Sequence, residues 1–158
     1  MKKDFIDKCV ARWHFEKNGV ELYEKVLKIC PNHLRQRFQE ILGQEKSHQK
    51  MLTEVLKRYG ADPESLTPSA RVVEMETQAI AEVVDATSFK EAIDAVLTAE
   101  LNDTANWEFL VIFADQLGDK ECRDKFEQAL KEEVEHVRFV RETILEGLFN
   151  RSPDSMAA

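Results

Sequence analysis

Four long segments of this chain carry apolar residues at three- and four-residue steps, and each stripe is broken near its middle by acids or by an acid with a histidine. Residues at those steps share one face of an α-helix, so the pattern specifies four helices and also what each presents inward. Helix A presents Phe5, Cys9, Trp13, Glu16, Val20, Tyr23 and Leu27. Helix B presents Leu34, Phe38, Ile41, Glu45, His48, Leu52, Val55 and Tyr59. Helix C presents Ile93, Val96, Glu100, Asp103, Trp107, Leu110 and Ala114, and helix D Phe126, Leu130, Glu133, His136, Val140 and Ile144. The interruptions fall at similar depths from their helix starts, so a folded bundle brings them together.

Punctuation sets the boundaries. Helix A runs from about Asp4 to about Ile29, and helix B from Pro31 or Asn32 to Gly60, a glycine suited to a helix C-terminus. Helix C opens at Ser88, which forms an S-x-x-E capping-box pattern with Glu91, and ends at Gly118. Asp119 then caps helix D, which reaches about Phe149. Tight A–B and C–D turns make two antiparallel hairpins. Residues 61–87 form a long link in which ADPESLTPS is turn-rich and RVVEMETQAIAEVV reads as a short packing helix. A helix of about 28 residues is about 42 Å long, and a partly helical link can travel that length. The expected fold is all-α: a four-helix bundle over residues 1–149, two hairpins joined by a long crossover containing a short helix. Residues 150–158 read as a flexible polar tail.

A chain of 158 residues fits one domain with one core. Its net charge of -8, with no basic stripe to offset it, argues against nucleic acid as a partner. The three cysteines, Cys9, Cys30 and Cys122, are far apart and form no C-x-x-C pair, so neither a disulfide framework nor a thiolate metal centre is expected. No apolar run is long enough for a signal peptide or a membrane span. The expectation is a cytoplasmic protein without membrane association.

The charged interruptions carry the chemistry. A buried lone carboxylate costs on the order of several kcal/mol, and four of them at one place raise each other's pKa values. Two divalent cations would balance four carboxylates, with two histidines as neutral ligands; carboxylate plus imidazole suits Fe, Mn or Zn. Glu45-Lys46-Ser47-His48 and Glu133-Val134-Glu135-His136 are both E-x-x-H, which puts acid and imidazole on one helix face. Each is paired with an inward acid on the preceding helix, Glu16 or Glu100. The Glu16–Glu45 spacing is four residues shorter than Glu100–Glu133, which a shorter A–B connection would absorb, and Glu21 and Glu24 are alternatives to Glu16. Asp103 is open between metal ligand, partner of a histidine, and solvated residue. Tyr23, Trp13 and Trp107 read first as packing. His14 and His33 lie off the stripes as surface histidines, and Glu132 and Glu135 flank helix D's ligand facing water.

On these motifs the chain resembles the ferritin-like di-iron carboxylate proteins, nearest to the di-iron domain of the rubrerythrins and to bacterioferritin, over helices A to D. The resemblance implies metal ligands at Glu16, Glu45, His48, Glu100, Glu133 and His136. It places Tyr23 at the family's tyrosine, seven residues after the helix A ligand, and Asp103 at the rubrerythrins' extra helix C carboxylate, one methylene shorter; these are the two candidate catalytic residues. It implies two metal ions, iron foremost with manganese or zinc as alternatives, and a peroxidase that reduces H2O2 or O2. The rubredoxin-type cysteine module is absent, so the electron donor is a separate partner. A ferroxidase feeding an iron store and a non-enzymatic, metal-stabilised helical module are the competing functions. The polar tail is too short for a cage-forming fifth helix, and the expected assembly is a homodimer.

Overall fold

The computed structural model describes residues 1–149; the expected tail, 150–158, lies outside the described residues. Five helices and no strand make up the described chain: α1 (Lys2–Ile29), α2 (Arg35–Arg58), α3 (Pro68–Ala86), α4 (Phe89–Gln116) and α5 (Lys120–Phe149). Helices A to D of the sequence reading are α1, α2, α4 and α5.

The helix ends follow local chemistry. Gly60 and Gly118 take positive φ, 74° and 71°, which only a residue without Cβ adopts at little cost. Each closes a Schellman motif, with Ala61 N–H donating to Leu56 O and Asp119 N–H to Ala114 O, both at 2.9 Å. Asp119 also caps α5, its Oδ1 accepting from Cys122 N–H at 3.1 Å. The Ser88 cap takes a different form from the one expected. The Ser88 hydroxyl bonds the Glu91 carboxylate and no backbone N–H. Helix α2 starts one turn later than expected, because residues 32–34 form a turn before it. The crossover helix is longer than expected, 19 residues. Thr67 accepts from Ala70 N–H and Pro68 follows at the first helical position, so a stretch that reads as turn-forming is a helix start.

Packed pairs give the topology. Phe5 meets Tyr59 and Tyr23 meets Phe38, so α1 and α2 run antiparallel. Trp107 meets Phe126 across α4–α5, and Phe38 meets Phe139 across α2–α5. Phe5 meets Phe113 and Tyr23 bonds Glu100, which makes α1 and α4 antiparallel as well. Consequently α2 and α4 point the same way, and the chain must return along the full bundle between them. Helix α3 makes that return, packed on α1 and α4 through Ala70, Thr77 and Val84.

Two apolar clusters fill the interior. One, at the α4–α5 turn, contains Phe5, Cys9, Trp13, Leu52, Leu56, Trp107, Leu110, Cys122 and Phe126. The other, at the α1–α2 turn, contains Tyr23, Val26, Phe38, Ile41, Val84, Ile93, Val96 and Val140. The charged interruptions occupy the layer between them. No described helix is long and apolar enough to cross a membrane.

The spacing difference between the hairpins resolves in the helices. The α1–α2 connection, residues 30–34, is longer than the α4–α5 connection, 117–119. Glu16 and Glu45 lie 13 and 10 positions from the helix ends flanking their turn, Glu100 and Glu133 16 and 13. Each arm of the first hairpin is therefore almost one turn shorter, which sets Glu16 level with the other three acids.

Candidate metal centre

Glu16, Glu45, His48, Glu100, Glu133 and His136 converge in the middle layer, and none is more than 3% exposed. They form two overlapping quartets: Glu16, Glu45, His48 and Glu133, and Glu45, Glu100, Glu133 and His136. In each quartet the donor atoms lie within 4.8 Å of one another. Glu45 and Glu133 belong to both. Glu21 and Glu24, the alternatives to Glu16, lie outside the quartets; both are exposed, and Glu24 pairs with Lys46.

Both imidazoles are clamped by their outer nitrogen. His48 Nε2 lies 2.9 Å from Glu132 Oε2, and His136 Nε2 donates to Gln44 Oε1 at 2.9 Å. That leaves each Nδ1 facing the carboxylates. His48 Nδ1 is 2.9 Å from Glu133 Oε1 and 3.6 Å from Glu16 Oε2. His136 Nδ1 is 3.1 Å from Glu133, 3.4 Å from Glu45 and 3.4 Å from Glu100. Several of these approaches are close without being aligned. Glu16 Oε2, Glu45 Oε1, His48 Nδ1, Glu100 Oε2 and Glu133 Oε1 are shut off from solvent with no hydrogen-bond partner. Orphaned buried atoms are rare, and five from four helices aimed at one region point at a common absent partner. A cation with ligand bonds near about 2.1 Å separates opposite ligands by about 4.2 Å, so each quartet fits one ion.

Other side chains orient the acids. The Tyr23 hydroxyl donates to Glu100 Oε1. Trp107 Nε1 donates to Glu16 Oε1 at 3.1 Å, so this tryptophan does more than pack. Asp103 is 2% exposed and bonded to Arg12, which is itself 2% exposed and stacked on Phe15. Its partner is therefore neither a histidine nor water, and it belongs to neither quartet. Arg12 cancels the charge of Asp103. Four glutamates remain, the complement of two divalent cations.

Proton affinities register the crowding. Burial pushes Glu45 well above the usual carboxylate range, and the like charges of Glu133 and Glu16 add to it. Burial raises Glu100 to about 7, against the pull of His136. Burial also acts on Glu133, but His136 and His48 beside it outweigh it and hold this carboxyl at about 2. Burial works against a proton on His48, yet Glu133 and Glu16 carry it up to about 12; His136 is raised likewise by Glu100, Glu133 and Glu45. Burial raises Asp103 despite Arg12, and raises Tyr23 together with Glu100. The opposite directions of Glu133 and the two imidazoles follow from their mutual contact.

A family model described as a domain of unknown function, DUF892, matches residues 1–152. The chain belongs to the DUF892 family. Comparison with curated proteins and with solved structures gives no match. For this DUF892 chain, then, the site itself carries the functional argument.

Arg12 and Gln44 escaped the sequence reading, as did the role of Glu132. Tracing helix A through Trp13 passed over Arg12, although the equally valid step from Cys9 to Arg12 to Glu16 finds it. Glu132, expected to face water, reaches across to His48 and is 26% exposed. His14, expected at the surface, is 4% exposed and holds the crossover through Glu74 at 2.6 Å and Ser65 O at 3.2 Å. His33 and Glu135 are exposed as expected.

Proposed function

We propose that this DUF892 chain is a ferritin-like dimetal carboxylate protein that reduces H2O2, or O2, with electrons from a separate donor. The observation that carries the reading is the pair of quartets sharing Glu45 and Glu133, with their inward atoms orphaned. Two antiparallel hairpins joined by a full-length crossover are the connectivity of that class of bundle. Glu16 and His48 would hold one ion, Glu100 and His136 the other, and Glu45 and Glu133 would serve both. The ligand chemistry suits iron, and equally manganese or zinc. A reduced iron pair supplies two electrons to an O–O bond.

This chain's own residues do the rest. Glu132 and Gln44 fix the ring orientation and leave both Nδ1 atoms inward. Tyr23 and Trp107 hold Glu100 and Glu16 in place, and the two apolar clusters keep bulk water out. Asp103, neutralised by Arg12, adds no ligand charge. The closed interior favours an oxidant of a few atoms over a bulky organic substrate. A groove of about 460 Å³ along α4 and α5 is lined by Leu101, Val134, Val137, Arg138 and their neighbours, away from the ligands. Leu101, Val134 and Leu145 are exposed there, beside Arg138, Arg141, Glu108 and Glu142. An apolar strip bearing both charges suits a second copy related by a two-fold axis, and we assign the homodimer to it.

Anaerobic loading with Fe(II), elemental analysis and stopped-flow oxidation test the reading. Two irons per chain, oxidised faster by H2O2 than by O2 in a particle of dimer mass, are the expected result. A large assembly retaining far more than two irons per chain would move the assignment to iron storage. Bound metal indifferent to both oxidants would leave a structural site.

A further inference from the structure

Glu45 serves both quartets, and the backbone it rests against has no side chain. Gly19 lies in α1, one turn beyond Glu16, and is buried. A Cβ placed on Gly19 would stand 2.7 Å from Glu45 Oε2 and 3.7 Å from its carboxyl carbon. The first distance is inside the contact limit, so an alanine there and the present Glu45 pose exclude each other. Gly43 in α2 and Gly147 in α5 have nothing within 4 Å of the same constructed atom. Glycine weakens a helix interior wherever it occurs. At Gly19 that weakness coincides with a carboxylate common to both quartets lying where a Cβ would stand.

We infer that Gly19 is a positioning residue for the dimetal centre, its missing side chain being the seat that lets Glu45 reach both metal positions. The inference rests on the dimetal reading above. Glu45 has little room to retreat. Its Oε1 lies 3.4 Å from His136 Nδ1, and its other neighbours in the quartets are His48 and the carboxylates of Glu16, Glu100 and Glu133. A carboxylate pushed off Gly19 therefore crowds the other quartet members, or swings out of the shared position. Either movement disturbs both ions at once, unlike a change at Glu16 or Glu100. The sequence alone gave no hint, because a glycine between inward positions reads as an ordinary break in the stripe.

The test compares Gly19→Ala with Gly43→Ala. Both replace a helical glycine with alanine and gain the same helix propensity, but only the first meets a ligand. Equilibrium dialysis of the full chain against Mn(II), with elemental analysis, reads occupancy and affinity; circular dichroism and melting of the metal-free proteins read the fold. The Gly43→Ala protein should load as the parent does. Gly19→Ala should fold, yet bind fewer ions or bind them about 10- to 100-fold more weakly, the range for losing a group that orients a ligand. If Gly19→Ala loads as Gly43→Ala does, the inference is overturned and the dimetal reading stands. If the parent binds no Mn(II), Fe(II) or Zn(II), both fall together. Should Gly19→Ala fail to fold, adding Glu45→Asp, whose carboxylate is one methylene shorter, is expected to restore folding. A double variant that still fails to fold places the clash elsewhere and overturns the inference.

Discussion

The two halves of the centre share their inner chemistry and differ in what stands behind it. Each has one histidine and one glutamate of its own and draws on Glu45 and Glu133. Behind the Glu16–His48 half stand two charged groups besides the Trp107 indole. Arg12 Nε lies 3.7 Å from Glu16, and the Glu132 carboxylate holds His48. Behind the Glu100–His136 half the groups are neutral: the Tyr23 hydroxyl and the Gln44 amide. A carboxylate behind an imidazole makes it a better donor, whereas a nearby guanidinium draws charge from the opposing acid. Near-symmetric duplication of E-x-x-H therefore yields two inequivalent sites, and their inequivalence lies in residues outside the motif.

The strongest test removes what the halves have in common. Glu133→Ala with His136→Ala should leave no bound ion in either half, since Glu133 is shared. Glu16→Ala should leave one, and elemental analysis after Mn(II) loading distinguishes them. Retention of two ions by the double variant would remove the assignment of the ligands.

Arg12 singles out the charged half. Arg12→Met strands the buried Asp103 carboxylate and should destabilise the fold by about 3–5 kcal/mol, read by denaturant melts. Adding Asp103→Leu should recover most of that loss, because the pair as a whole contributes little. Failure of the second change to rescue would mean that Arg12 acts mainly through Glu16.

A finer comparison exchanges one donor per half. Tyr23→Phe should weaken the ion at Glu100 and Trp107→Phe the ion at Glu16, each by about 10- to 100-fold. Binding isotherms with two resolved steps would show one step moving in each variant. Movement of both steps by either change would mean the halves are coupled through Glu45 and Glu133.

The smallest effect expected is in the pH response. Glu100 has a folded-state value raised from 4.5 to about 7, so its protonated form favours the metal-free fold. That contribution is complete below 4.5 and is lost as pH rises through about 7. Thermal melts of chelator-treated protein should lose stability across that window, and Glu100→Gln should flatten this part of the profile. Metal in the Glu100 half competes with the same proton, so its affinity should fall as pH drops through about 7.

How far the sequence could be read varied with the kind of information. Helical periodicity and glycine punctuation placed α1, α2, α4 and α5 to within about a turn, because both are local properties of the chain. The six inward acids and histidines were legible for the same reason: they interrupt stripes whose facing is already fixed. What was not legible depends on contacts across the fold. Asp103 met Arg12 from a different helix, and Glu132 met His48 across α2–α5. His14 was buried only because α3 was laid over it. The shorter arms of the first hairpin were also hidden, since total spacing does not divide itself between helix and turn.

Helix α3 buries side chains at Ala70, Thr77 and Val84, one every seven residues, against two members of the bundle. With three buried residues in 19, against seven in 24 for α2, and Val73 and Ile80 partly buried beside them, that seam holds its helix less firmly than the core stripes hold theirs. Its amide hydrogens should therefore exchange in a separate cooperative opening, at lower free energy than global unfolding. Each such excursion bares the flank of α1 while leaving the other four helices assembled.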